Sequence, residues 1–111
     1  MSLEFSTTRA LVDGKELNIG FLSLDNAVLC FLWEGVKPVL GTLTVSLPGR
    51  VSSTLLGDKD SLLGSILGDQ LSSFFQKMTL VSTNLKTLRG ESIGKRVLEI
   101  TRETFMKREV E

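Results

Sequence analysis

Cys30 is the single cysteine in the chain, and histidine and tyrosine are absent. A cysteine or serine nucleophile ordinarily takes its activating base from histidine, so neither pair can be assembled within one chain. A transition-metal site of the usual Cys and His ligands is disfavoured for the same reason. Carboxylate or lysine chemistry stays open by composition, yet no spacing brings such groups together on one face. No catalytic residue, metal ligand or cofactor site is therefore assigned, and the chain is read as non-enzymatic. Cys30 lies inside an apolar run, where desolvation raises a thiol pKa and favours inert packing over reactivity.

Two other groupings could act on charge. Leu55-Leu56-Gly57-Asp58-Lys59-Asp60 precedes a helical pattern, and helix N-terminal amides can hold anions. Asp58 and Asp60 already place negative charge there, so capping of the helix by one of them is the favoured reading. The glycines at 57, 64 and 68 lack the Gly-Lys-Ser/Thr ending of a phosphate loop. Lys86, Arg89, Lys95 and Arg96 gather near the start of the last helix and could meet an acidic partner or RNA. Their neighbours Glu91 and Glu99 make a solvated mixed-charge face the better reading. The whole chain has 13 basic and 13 acidic residues and a formal net charge of zero, which argues for neither nucleic acid nor an anionic membrane.

The elements that would position these residues follow from periodicity. With 111 residues, a single domain covering 1–111 is expected. Strands are predicted at 5–12, 17–24, 27–33 and 39–47, with Leu17, Ile19 and Phe21 on one face of the second. Asp13-Gly14 is a hairpin signal and Asp25-Asn26 a second turn. These four are expected to form an antiparallel meander, with a short fifth strand over 51–56. The period then lengthens. Leu63, Ile66, Leu67, Leu71, Phe74, Phe75 and Met78 recur at three and four, predicting a helix over 60–78. Gly64 and Gly68 share one side of it, where they either let a neighbouring backbone approach or are simply tolerated. A strand at 78–83 and a helix over 91–109 complete the order, with Ile93, Val97, Ile100 and Thr104 or Phe105 inward. The expected class is α+β: an antiparallel sheet of about six strands with both helices on one face.

The run Ala27-Val28-Leu29-Cys30-Phe31-Leu32-Trp33 is apolar on both faces, which calls for burial on both sides. Two helices can cover one face of the sheet. The other would need a barrel, a sheet folded on itself, or a second chain. The second chain is preferred, because an exposed patch containing Trp and Phe is of the kind that marks interaction sites. Leu29, Phe31 and Trp33 are accordingly the candidate dimer-interface residues.

Phe31-Leu32-Trp33-Glu34-Gly35, Pro38, Leu43-Thr44-Val45-Ser46-Leu47, Ser53-Thr54-Leu55-Leu56-Gly57-Asp58 and Val81-Ser82-Thr83-Asn84-Leu85 occur in that order. This series resembles the proteasome assembling chaperone family, and within it the branch of the fourth member, the small partner of the third. The resemblance implies a two-layer α+β fold and pairing with a related subunit through the sheets, without catalysis. It also implies help in assembling the α-ring of the 20S proteasome by holding an α-type subunit. A generic homodimeric scaffold and an RNA-binding α+β module are the alternatives. No secretory pattern opens the chain, Glu4 and Arg9 interrupting any apolar run. A cytoplasmic or nuclear compartment, with no membrane partner, is expected.

Overall fold

The structure, a computed structural model, describes residues 5–50, 52–57, 59–88 and 91–110, with side chains described for all of these except 91 and 106–110. Six strands and two helices follow one another as β1 (Phe5–Val12), β2 (Lys15–Ser23), β3 (Ala27–Glu34), β4 (Thr42–Ser46), β5 (Ser53–Leu56), α1 (Ser61–Phe75), β6 (Met78–Asn84) and α2 (Glu91–Val110).

The first hairpin forms as its turn chemistry requires. Asp13 and Gly14 both take positive φ, 53° and 76°, the twist that suits a two-residue connection between right-twisted strands. Val12 then pairs with Lys15 and the ladder runs out to Phe5 opposite Leu22. β2 pairs antiparallel with β3 in turn, Gly20 opposite Phe31 and Asn18 opposite Trp33.

The meander stops there. The sheet order is β1-β2-β3-β6-β4-β5, so the expected four-strand meander is corrected to three strands. β6 enters between β3 and β4, parallel to β3 and antiparallel to β4. A parallel neighbour needs a long crossover, which β4, β5 and α1 supply together. β4 is also shorter than the expected 39–47, because Val39 and Leu40 stay exposed in the preceding connection. The two-sided apolar strand β3 thus acquires a strand on each edge and sits at the centre. Its ladder with β6 sets Leu29 beside Leu80 and Cys30 beside Val81.

One face of the sheet carries both helices. Leu17, Ile19, Val28, Cys30, Leu32 and Val81 are buried there with Leu67 and Leu71 of α1 and Val97 and Phe105 of α2. Burial pushes the Cys30 thiol pKa far above its ordinary range, so it is a packing residue. Phe105 meets Phe21 edge-on at 4.4 Å between ring centroids and lies 6.3 Å from Phe75. On α2, Val97, Thr101 and Phe105 point fully inward while Ile93, Ile100 and Thr104 are half-buried. Lys95, Arg96 and Glu99 are exposed, as a solvated mixed-charge face requires, and Arg96 pairs with Glu99 at 3.3 Å.

α1 departs from its sequence pattern in an instructive way. Its sheet-facing residues are Gly64, Leu67, Gly68, Leu71 and Ser72, whereas Ile66 and Phe74 are exposed and Met78 belongs to β6. The helix sets its glycines onto the hydroxyl-bearing side of β4, while Leu67 and Leu71 enter the apolar core. A Cβ at Gly64 would lie 2.8 Å from Thr44 Oγ1, and one at Gly68 would collide with Ser46 Oγ. Gly68→Val is therefore expected to destabilise the fold by about 2 kcal/mol. The helix-propensity gain over glycine is only a fraction of 1 kcal/mol, smaller than the overpacking cost. Urea unfolding checks this; an unchanged midpoint would show that α1 can lift off β4 freely.

Asp60 occupies the N-cap position of α1 in a left-handed conformation, φ 60°, and makes no side-chain capping hydrogen bond. The expected capping by Asp60 is corrected accordingly, since that backbone conformation turns the carboxylate away from the first-turn amides. Asp58, the other candidate cap, lies outside the described residues, as does Arg89 of the basic group.

Candidate interaction surface

The sheet face away from the helices has no helix over it. Register places Leu22 of β2, Leu29, Phe31 and Trp33 of β3, Leu80 of β6, and Leu43 and Val45 of β4 on it. All but Trp33 are half-buried. The sheet is open, with β1 and β5 as its edges, so it does not cover itself by closing into a barrel. Phe5 adds an exposed ring at the β1 edge, 5.8 Å from Phe31.

The three sequence-derived interface residues are not equivalent. Leu29 and Phe31 keep part of their surface in solvent, whereas Trp33 is only 3% exposed. The indole lies beside Gly20, where an added Cβ would come within 2.6 Å of Phe5 Cζ and 3.1 Å of Trp33 Cζ3. Glycine at this point lets both rings rest on the strand. Phe5, Phe31, Trp33, Pro38, Val39 and Leu40 together line an apolar cavity of about 230 Å3. The connection after β3 thus shelters one end of the face that the sequence left without cover. The Trp33 indole N–H has no hydrogen-bond partner among the described residues.

Neighbouring polar groups fix this end of β3. The Asn18 amide donates to the Gly35 carbonyl at 3.0 Å and to the Trp33 carbonyl at 3.4 Å. Glu34, which follows Trp33, faces a cradle of donors. The backbone N–H groups of Lys86, Thr87 and Leu88 and the Thr87 hydroxyl all donate to its carboxylate, at 3.0, 2.9, 2.7 and 2.8 Å. Partial burial pushes the Glu34 pKa up, but the bonds from Leu88, Thr87 and Lys86 outweigh it and hold the carboxyl below its ordinary value. Sequence reading passed over Glu34, since a lone glutamate before a glycine carries no local signal. Its partners lie more than fifty residues away.

Glu34→Ala is expected to cost about 2 kcal/mol, since several charge-assisted bonds to one loop disappear together. The pH dependence has a definite sign. A carboxyl depressed in the folded state stabilises above the unfolded carboxyl pKa, near 4.3, and that stability is lost as pH falls through the folded value. Wild-type stability should thus decline in the acid range below about pH 4, and Glu34→Gln should flatten that decline. Identical acid unfolding curves would show that the cradle contributes nothing.

No described protein-family profile matches the sequence, and no curated protein matches it either. The fold is similar to that of a chain in the crystal structure of a novel chaperone complex for yeast 20S proteasome assembly, with a TM-score of 0.72 and 13% identity, over 99% of this chain and 98% of that one.

Proposed function

We propose that this protein is a non-catalytic assembly chaperone for the α-ring of the 20S proteasome, pairing with a related subunit through its open sheet face and binding a proteasome α-type subunit. The fold likeness over the whole length of both chains carries the reading. A chance likeness in one supersecondary unit would not extend across six strands and two helices in this unusual order. The half-buried apolar face gives the reading a physical basis, because apolar sheet faces bury well against one another about 10 Å apart. The ordered motifs from Phe31 to Leu85 support it independently. On this reading, Leu29 and Phe31 lie at the centre of the subunit interface and Trp33 supports them from beneath. The compartment is cytoplasmic or nuclear, where proteasome assembly would take place.

Cells lacking the protein test the role. Unassembled α subunits should accumulate and 20S peptidase activity should fall, with restoration by the wild-type chain. Normal 20S levels and no free α subunits would contradict the reading.

A further inference from the structure

The two edges of the sheet are built differently. β5 is only four residues long, and its register against β4 is broken between Leu43 and Thr44. Shortness and irregularity are the usual means of keeping an edge from pairing with another chain. β1 has neither. It runs for eight residues, Phe5–Val12, in unbroken register with β2, and contains no proline, glycine or lysine. Arg9 is its one charged side chain, and Glu16 of β2 meets that charge at 3.6 Å.

The hairpin decides which backbone groups of β1 face outward. Positive φ at Asp13 and Gly14 gives the two-residue turn whose flanking residues, Val12 and Lys15, exchange both ladder bonds. Alternation then turns the N–H and C=O groups of Val12, Ala10, Thr8 and Ser6 toward β2. Those of Phe5, Thr7, Arg9 and Leu11 turn away from it. β1 ends the sheet, so these four residues have no ladder partner on that side among the described residues. Two of their side chains are large, apolar and exposed, Phe5 at 51% and Leu11 at 72%.

We infer that the β1 edge pairs antiparallel with the β1 edge of a second copy of this chain, about a two-fold axis at Thr8. This register sets Phe5 opposite Leu11 of the second copy, Thr7 opposite Arg9, and Thr8 opposite Thr8. Every outward group from Phe5 to Leu11 is then used, giving about eight ladder bonds. Both ends close on an apolar cross-strand pair. Moving the register two residues one way sets Arg9 against Arg9, which like charge disfavours. Moving it two residues the other way sets Phe5 against Arg9 and loses the apolar pair. A shift of one residue opposes outward groups to inward ones. The strand is thus complementary to itself in one register, as a two-fold contact requires. Edge pairing lies in the plane of the sheet, so it neither uses nor blocks the open face and does not depend on pairing there.

Cysteine cross-linking of the full-length chain tests this register. Cys30 is buried and gives no background. Thr8→Cys should form a disulfide-linked dimer on mild oxidation, because opposed residues at such a position have Cα atoms about 4.5 Å apart, within disulfide range. Ser6→Cys and Ala10→Cys should not cross-link alone but should do so when mixed, since each opposes the other. Thr7→Pro should reduce the Thr8→Cys dimer about tenfold or more, by removing an outward N–H that the hairpin does not use. Urea midpoints near wild type establish that the variants fold, and the mixing result stands without Thr7→Pro. The cross-link should persist in Phe31→Asp, which acts on the open face. Absence of a Thr8→Cys dimer, equal dimer at all three single positions, or indifference to Thr7→Pro in a folded protein would overturn the edge pairing while leaving the face-pairing reading standing.

Discussion

Phe105→Ala is expected to destabilise the protein by about 4 kcal/mol, within the range for deleting a fully buried aromatic. A domain of this size has only about 5–15 kcal/mol to lose. Phe105 is fully buried, and its ring touches β2 through Phe21 and α1 through Phe75. It therefore joins three elements that are remote in sequence. Its loss leaves a cavity that neither facing ring can fill without abandoning its own contacts. The far end of α2 should loosen first. Hydrogen exchange over the second half of α2 should rise before global unfolding, and the urea midpoint should fall. A shift below about 1 kcal/mol, the usual ceiling for a surface substitution, would show that α2 is not docked as described.

Phe31→Asp and Trp33→Asp should separate pairing from folding. Phe31 retains exposed surface in the isolated chain, so an aspartate there can remain hydrated and the fold should survive. Across the proposed sheet-to-sheet interface the same carboxylate would be desolvated without a partner. Association should weaken about 100-fold or more, equivalent to about 3 kcal/mol. Trp33 is enclosed by its own chain, so Trp33→Asp should unfold the monomer. Sedimentation velocity with far-UV circular dichroism distinguishes the outcomes. A Phe31→Asp protein that associates as well as wild type would remove this residue from the interface.

Much of the architecture was legible because local chemistry and pattern agreed. Asp13-Gly14 specified a hairpin, and the two-sided run around Cys30 specified a central strand. The place of β6 was not legible, since pairing partners depend on which crossover the chain can close, not on any feature within 78–84. The facing of α1 was legible in part, since Leu67 and Leu71 are buried and Leu63 and Phe75 pack against the core, while Ile66 and Phe74 are exposed. Large apolar residues were expected to mark its buried side, but β4 presents Thr44 and Ser46 to it, and only glycine admits close approach there. The candidate surface was half legible. Leu29 and Phe31 announce themselves by alternation, while Leu80, Leu43 and Val45 join them only through the sheet order. The burial of Trp33 depends on Gly20 and on the connection after β3, neither of which alternation encodes.

Affinity capture of the tagged, full-length protein from its own cells tests the central claim most directly. The account predicts recovery of a second small α+β chain and one or more 20S α-type subunits, with Phe31→Asp losing the small chain. Capture that returns neither a related small subunit nor any proteasome α subunit, from cells actively assembling 20S particles, would contradict it.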